Sequence, residues 1–163
     1  MELSISNIAW DTQLDNQIAE LLLKHNMSSI DIAPTKYFSN LSSASTSDIK
    51  RIKDWWGERN IEIIGMQSLL FNKPDLNIFS SPEIQQKMLS HLKDVCRIGD
   101  ILNARRLVFG SPKNRDRSGL DNIKANKIAV DFFLRLAAIA EQYEVIICLE
   151  PNPKCYGSNF MTN

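Results

Sequence analysis

The chain has 163 residues, 44% of them apolar, 8% aromatic and 23% charged, which is the make-up of one globular domain and not of a disordered tail. Its 19 basic and 19 acidic side chains cancel to a formal net charge of zero, which disfavours nucleic acid as a partner because such binders carry a basic surplus. No apolar run approaches the roughly 18 residues of a membrane span, Met1 to Ile5 lacks the charged start of a signal peptide, and three cysteines suit reduced thiols better than a disulfide framework; the expectation is a soluble cytoplasmic protein with no membrane partner.

The first β-like run, Leu3 to Ala9, leads into Trp10 and Asp11. Thr12 and Asp15 then form a capping pair ahead of a helical stripe of Ile18, Leu21, Leu22 and His25. A second run, Ser29 to Ala33, encloses Asp31 and ends in Pro34, Thr35, Lys36 and Tyr37. Ser45 and Asp48 open a helix with Ile49, Ile52 and Trp56 on one face, and Asn60 stops it. The third run, Ile61 to Gln67, is followed by a loop reaching about Phe79. Ser81 and Pro82 give the strongest helix start of the chain, and the stripe behind them is Ile84, Met88, Leu92 and Val95. After the fourth run, Arg106 to Gly110, a charged loop leads to a helix with Ile128, Phe132, Leu136 and Ala140 on one side. The fifth run, Val145 to Glu150, is followed by a Pro-rich polar stretch in which Thr162 or Asn163 is placed to cap a further helix.

Strand and helix alternate four times and end on a strand, which predicts a parallel α/β sheet with right-handed crossovers. The runs are near-continuously apolar, as strands covered on both faces are. A flavodoxin-like sheet is complete with five strands, whereas a (β/α)8 barrel needs about 250 residues. A flavodoxin-like domain covers its last strand with a final helix, and this chain stops in a loop instead. The expectation is therefore a single domain over residues 1–163, α/β in class, of the parallel (β/α) barrel type and truncated after the fifth strand.

Ligands of such folds gather at the C-terminal ends of the strands. Trp10 there is a candidate wall of a sugar pocket, or a helix-packing residue. Asp31 is an acid within an apolar run and needs a partner if buried; a structural hydrogen bond is preferred to a catalytic role. Gln67 offers donors and an acceptor to hydroxyl groups. Lys113, Arg115 and Arg117 are three cations in five positions, either an anion clamp or a solvated loop. Glu150 is the one acid ending an apolar run, on the strand face shared with Cys148 and Ile146, and Asn152 follows between two prolines. A carboxylate buried there calls for a metal ion or a hydrogen-bonding substrate. His25 and His91 read as ordinary helix residues. Zinc-type spacing, a nucleophile turn and phosphate-binding glycine loops are all missing.

Together, Ser29 to Tyr37, Ile61 to Gln67, Leu107 to Ser111 and, above all, Ile147-Cys148-Leu149-Glu150-Pro151-Asn152 resemble the sugar phosphate isomerase/epimerase family, the xylose-isomerase-like TIM barrels. The resemblance implies that Glu150 is both the catalytic residue and a ligand of a divalent metal, manganese or magnesium. It implies a small sugar or sugar phosphate as substrate, held by Trp10, Gln67, Lys113 and Asn152, with proton transfer next to a carbonyl through an enediolate. The remaining metal ligands come from strands six to eight in that family, so this length of chain is expected to be inactive alone. Two alternatives stand beside it: a non-catalytic half-barrel that binds a ligand or self-associates through its open edges, and an endonuclease-IV-like repair enzyme, which the balanced charge disfavours.

Overall fold

The computed structural model describes residues 3–162; the chain start at Met1 and the cap proposed at Asn163 lie outside them. The elements follow in strict alternation: β1 (Ile5–Ser6), α1 (Asp15–Lys24), β2 (Ser29–Ile32), α2 (Thr46–Gly57), β3 (Glu62–Met66), α3 (Pro82–Leu102), β4 (Arg106–Phe109), α4 (Asn122–Gln142) and β5 (Ile146–Leu149). All neighbouring strands pair in parallel, in the spatial order β1-β2-β3-β4-β5. That order decides between the two architectures. A doubly wound sheet reverses direction at a switch point, whereas this one advances one strand at a time, as a barrel does.

The helix-facing side of the sheet makes the core. Ile32, Met66, Leu107 and Phe109 are buried there with Ile49, Trp56, Met88, Leu92, Val95, Phe132 and Leu136 of the helices. Cys96 lies in the same layer, where burial pushes its thiol up to about 12. Cys148 and Cys155 are also free thiols. No described helix is long and apolar enough to cross a membrane.

Several local expectations are corrected. The run from Leu3 pairs only at Ile5–Ser6, because Asn7 to Ala9 turns into a short 3-10 helix. There the Ser6 hydroxyl accepts from the Ile8 amide at 3.3 Å, and the buried Asn7 Oδ1 accepts from the Ala33 amide at 2.7 Å. Thr12 and Asp15 do not cap α1. The Asp15 carboxylate instead accepts from Trp10 Nε1 at 2.7 Å and from the Tyr37 hydroxyl at 2.9 Å, and burial raises its pKa while those bonds oppose the shift. Ser45 does cap α2, accepting from the Asp48 amide at 3.1 Å. The Ser81 hydroxyl makes no such bond, although Pro82 opens α3. Asp121, not singled out in the sequence, caps α4 through the Lys124 amide at 2.8 Å.

Strand β5 is not covered on both faces. Ile146 and Leu149 are exposed, since β5 pairs on one side only among the described strands. Beside it, Val130, Phe133 and Leu134 of α4 form an apolar hollow of about 440 Å³ with Leu149, Phe160 and Met161.

Candidate functional site

The register Val108↔Cys148 and the two-residue period of strands put Arg106, Val108 and Gly110 on the same sheet face as Ile146, Cys148 and Glu150. This is the face away from the helices. The Glu150 amide donates to Phe109 O at 3.2 Å, which keeps residue 150 in register just past the strand end. Its carboxylate then folds across Gly110, where a Cβ would collide with Oε2. At the mouth of β3, the Gln67 amide donates to Ile32 O at 2.9 Å, and Ser68 follows with φ 53°. Gln67, Ser68, Phe71, Val108, Gly110, Ser111 and Glu150 line a cleft of about 270 Å³ at this end of the sheet. Sequence reasoning placed Gln67 and Glu150 at two separate strand ends, and the fold brings both into one cleft.

Glu150 itself is exposed, which corrects the expectation of a buried carboxylate. The reason is positional: no strand follows β5 among the described residues to cover that side. What lies behind Glu150 is buried instead. Asn152 donates from Nδ2 to Glu150 Oε2 at 3.3 Å, and its Oδ1 accepts from Arg115 Nη2 at 2.5 Å. Arg115 is 0% exposed, its Nη1 faces Met161 Sδ at 3.6 Å, and its Nε has no partner among the described residues. Burial lowers the pKa of Arg115, and the negative charge of Glu150 opposes that shift. The site thus has a cationic floor, reached through an amide.

The anion clamp is not formed. Residues 113–115 make one 3-10 turn, whose successive side chains point about a third of a turn apart. Lys113 is consequently exposed and Arg115 is inward. Arg117 is engaged by the carbonyls of Asn159 at 2.6 Å and Leu120 at 3.0 Å. Between them, the buried Asn114 donates to the carbonyls of Lys73 at 2.7 Å and Leu76 at 2.5 Å, so it pins the β3–α3 loop beside the cleft; an Asn in a polar run carries no signal of such a role.

Trp10 lies outside the cleft. It is buried edge-on against Trp56 with ring centroids 6.4 Å apart, and Lys36 Nζ donates to its carbonyl. Asp31 accepts from the Ser4 hydroxyl at 2.6 Å, the structural partner expected of it. His91, expected to be an ordinary helix residue, reaches a strand end: its Nε2 meets Leu69 O, two residues past Gln67, at 2.8 Å. Its place three residues after Met88 and four before Val95 is the sequence signal for that inward direction.

A divalent metal needs several converging ligands. Among the described residues no group of three or more His, Cys, Asp or Glu side chains is placed to hold one. Glu150 offers a single carboxylate, and its neighbour Asn152 is tied to Arg115. The described residues therefore do not by themselves fit a metal centre.

No protein-family model and no curated protein matches the chain. Solved structures do. It superposes on D-psicose 3-epimerase from Clostridium cellulolyticum with TM-score 0.74 at 18% identity, over 100% of this chain and 56% of that one. A D-tagatose 3-epimerase-like protein gives 0.69 at 19% identity, over 94% and 54%. A sugar phosphate isomerase/epimerase from Parabacteroides distasonis gives 0.63 at 15% identity, over 91% and 50%. The chain thus spans about half the length of the solved barrels it matches. The architecture read from the strand ends, a parallel α/β sheet of the (β/α) barrel type, is the fold this chain has, with five strands among the described residues.

Proposed function

We propose that the cleft holding Gln67 and Glu150 is part of the active site of a sugar or sugar-phosphate isomerase or epimerase, working in the reducing cytoplasm. The observation that carries this reading is the Glu150 carboxylate, set over Gly110 at the C-terminal mouth of β5, where barrels of this type place their chemistry. Glu150 is the base that takes the proton from a carbon next to the sugar carbonyl. Gln67 and Asn152 hold hydroxyl groups, the second while bonded to Arg115. Lys113 serves as an exposed cation for a phosphate, and Trp10 acts through the packing that sets the first strand end. Residues 1–163 are the N-terminal part of such a barrel, taken as one domain.

One carboxylate can pass a proton between neighbouring carbons on its own face of the enediolate, but it does not return it to the opposite side, as epimerisation requires. The second acid–base group, and the ligands that would join Glu150 around manganese or magnesium, have to come from further strand–helix units. The 163-residue chain is therefore expected to show no turnover of D-tagatose or other ketohexoses with manganese present. The same chain fused to three further strand–helix units of a solved relative is expected to turn over, and Glu150→Gln in that fusion loses about 10²–10⁴-fold of the rate. Turnover by the unfused chain overturns the need for added units. A well-folded fusion that is inactive, or one indifferent to Glu150→Gln, overturns the enzymatic reading.

A second reading is favoured by the unpaired edge of β5 and the apolar hollow beside it: a non-catalytic half-barrel that self-associates. In that case sugar binding at Glu150 is absent while association persists.

A further inference from the structure

Phe71 lines two clefts. One is the cleft of Gln67 and Glu150; the other, of about 650 Å³, lies between the β2–α2 loop at residues 39–42, the β3–α3 loop at residues 71–73 and helix α3 at residues 90–94. Phe71 is 57% exposed, an apolar residue left to solvent where the two spaces adjoin. Both spaces take residues from the loop that follows β3, and they meet at Phe71.

The chemistry of the second cleft is specific. Lys73 and Asp94 bring opposite charges to its wall, and neither forms an ion pair among the described residues. His91 stands between them electrostatically: burial lowers its pKa and Lys73 adds to that, while the Leu69 carbonyl and Asp94 oppose it. A neutral His91 donates Nε2–H to Leu69 O, which leaves Nδ1 as an acceptor. Serine hydroxyls at positions 39, 42 and 90 supply both roles. The wall therefore offers both donors and acceptors, with the charges of Lys73 and Asp94 balanced. An anion would meet Asp94, and an apolar ligand would strand the polar groups. A hydroxyl-rich neutral ring satisfies both, with its C–H face on Phe71, since ligand sites combine an apolar contact with a few placed polar groups.

We propose that this second cleft is a subsite for a second sugar ring, so that the substrate is a disaccharide or glycoside whose reacting sugar lies beside Glu150. The inference rests on the reading of the first cleft given above, and goes further in naming the substrate class. Phe71 is the shared wall against which both rings sit, and Asp94 is the acceptor for hydroxyls of the outer ring.

The test is titration of the isotope-labelled 163-residue chain, followed by amide chemical shifts, with D-fructose and with the glucosyl-fructoses turanose, leucrose and isomaltulose, which differ in linkage. Fructose is expected to move amides of residues 67–71 and 110–111 only. At least one disaccharide is expected to move those and residues 39–42 and 90–94, binding about tenfold more tightly. Asp94→Ala, which removes the acceptor, is expected to return that disaccharide to the affinity of fructose without altering the fructose shifts. If fructose moves the first cleft but no disaccharide binds more tightly or reaches the second, the inference is overturned and the proposed function stands. Should no sugar move the first cleft, the reading of that cleft fails and the inference with it. Equal response of the second cleft to fructose alone shows an independent site and also overturns the linked subsite.

Discussion

The Glu150 carboxylate lies across the bare α-carbon of Gly110, and the two residues share one sheet face because β4 and β5 pair in register from Arg106↔Ile146 to Phe109↔Leu149. A methyl at residue 110 would strike Oε2, the far end of a flexible side chain, which can swing aside. At Gly65 the same addition would meet the carbonyl of Arg106 at 2.8 Å as well as the Asp31 carboxylate, and backbone cannot swing. Gly110→Ala is therefore expected to change stability by well under 1 kcal/mol, while Gly65→Ala costs about 1–3 kcal/mol through overpacking. Urea melts of the two variants check the contrast. In an active fusion, Gly110→Ala is further expected to lower kcat, because the carboxylate is displaced from its place over the strand end.

The barrel-like order of strands was legible because short apolar strand runs alternate with helix stripes of 3.6-residue period, and because four strand–helix units ending on a fifth strand leave few topologies. The positions of Gln67 and Glu150 followed from the same pattern, being the polar residues that end β3 and β5. Arg115 was not legible in this way. Nothing in Lys113-Asn114-Arg115-Asp116-Arg117 distinguishes the one cation that turns inward, since its burial depends on Asn152, 37 positions away in sequence. Trp10 misled for a related reason: a strand-end aromatic reads as a pocket wall unless Trp56 and Asp15 are known to be waiting for it. Sequence periodicity reports which face of an element is covered; it does not report which loop residue finds a distant partner.

The bond between Arg115 and Asn152 gives a second expectation. Arg115→Met removes the donor and leaves the buried Asn152 Oδ1 unsatisfied, a loss of about 1–3 kcal/mol. Asn152→Ala leaves the guanidinium with one fewer acceptor at similar cost. The double variant is expected to lose clearly less than the sum of the two. Denaturant unfolding of the four proteins measures this, and strict additivity would show that the bond carries no coupling.

His91 makes stability depend on pH. Burial holds its pKa below the ordinary value of about 6.5, Lys73 acts the same way, and the Leu69 carbonyl and Asp94 act against it. A depressed folded-state pKa means that the unfolded chain binds the proton first as pH falls. The unfolded state then carries more protons, so stability rises with pH in this range. The contribution is fully present above about 6.5 and is lost as pH falls through the lower folded-state pKa. Urea midpoints are expected to drop between pH 7 and pH 5, and the drop attributable to this side chain is absent in His91→Gln. An unchanged slope in the variant would assign the pH dependence elsewhere.

The apolar hollow on α4 and β5 carries a prediction for the behaviour of the chain in solution. Val130 is 59% and Leu134 66% exposed, and both stand beside Phe133, Leu149 and Phe160. Contiguous apolar surface of this kind drives association, and the unpaired edge of β5 offers backbone groups to whatever settles there. Self-association growing with concentration is therefore expected by sedimentation velocity. Leu134→Glu places a charge in the exposed part of the hollow, where a surface substitution changes stability by about 0.5 kcal/mol or less, and is expected to shift the chain towards monomer. Ile123 is a control: it is 82% exposed but does not line the hollow, so Ile123→Glu should leave the association as it was. If both variants disperse the chain equally, general stickiness and not this hollow is responsible; if neither does, the association runs through the strand edge.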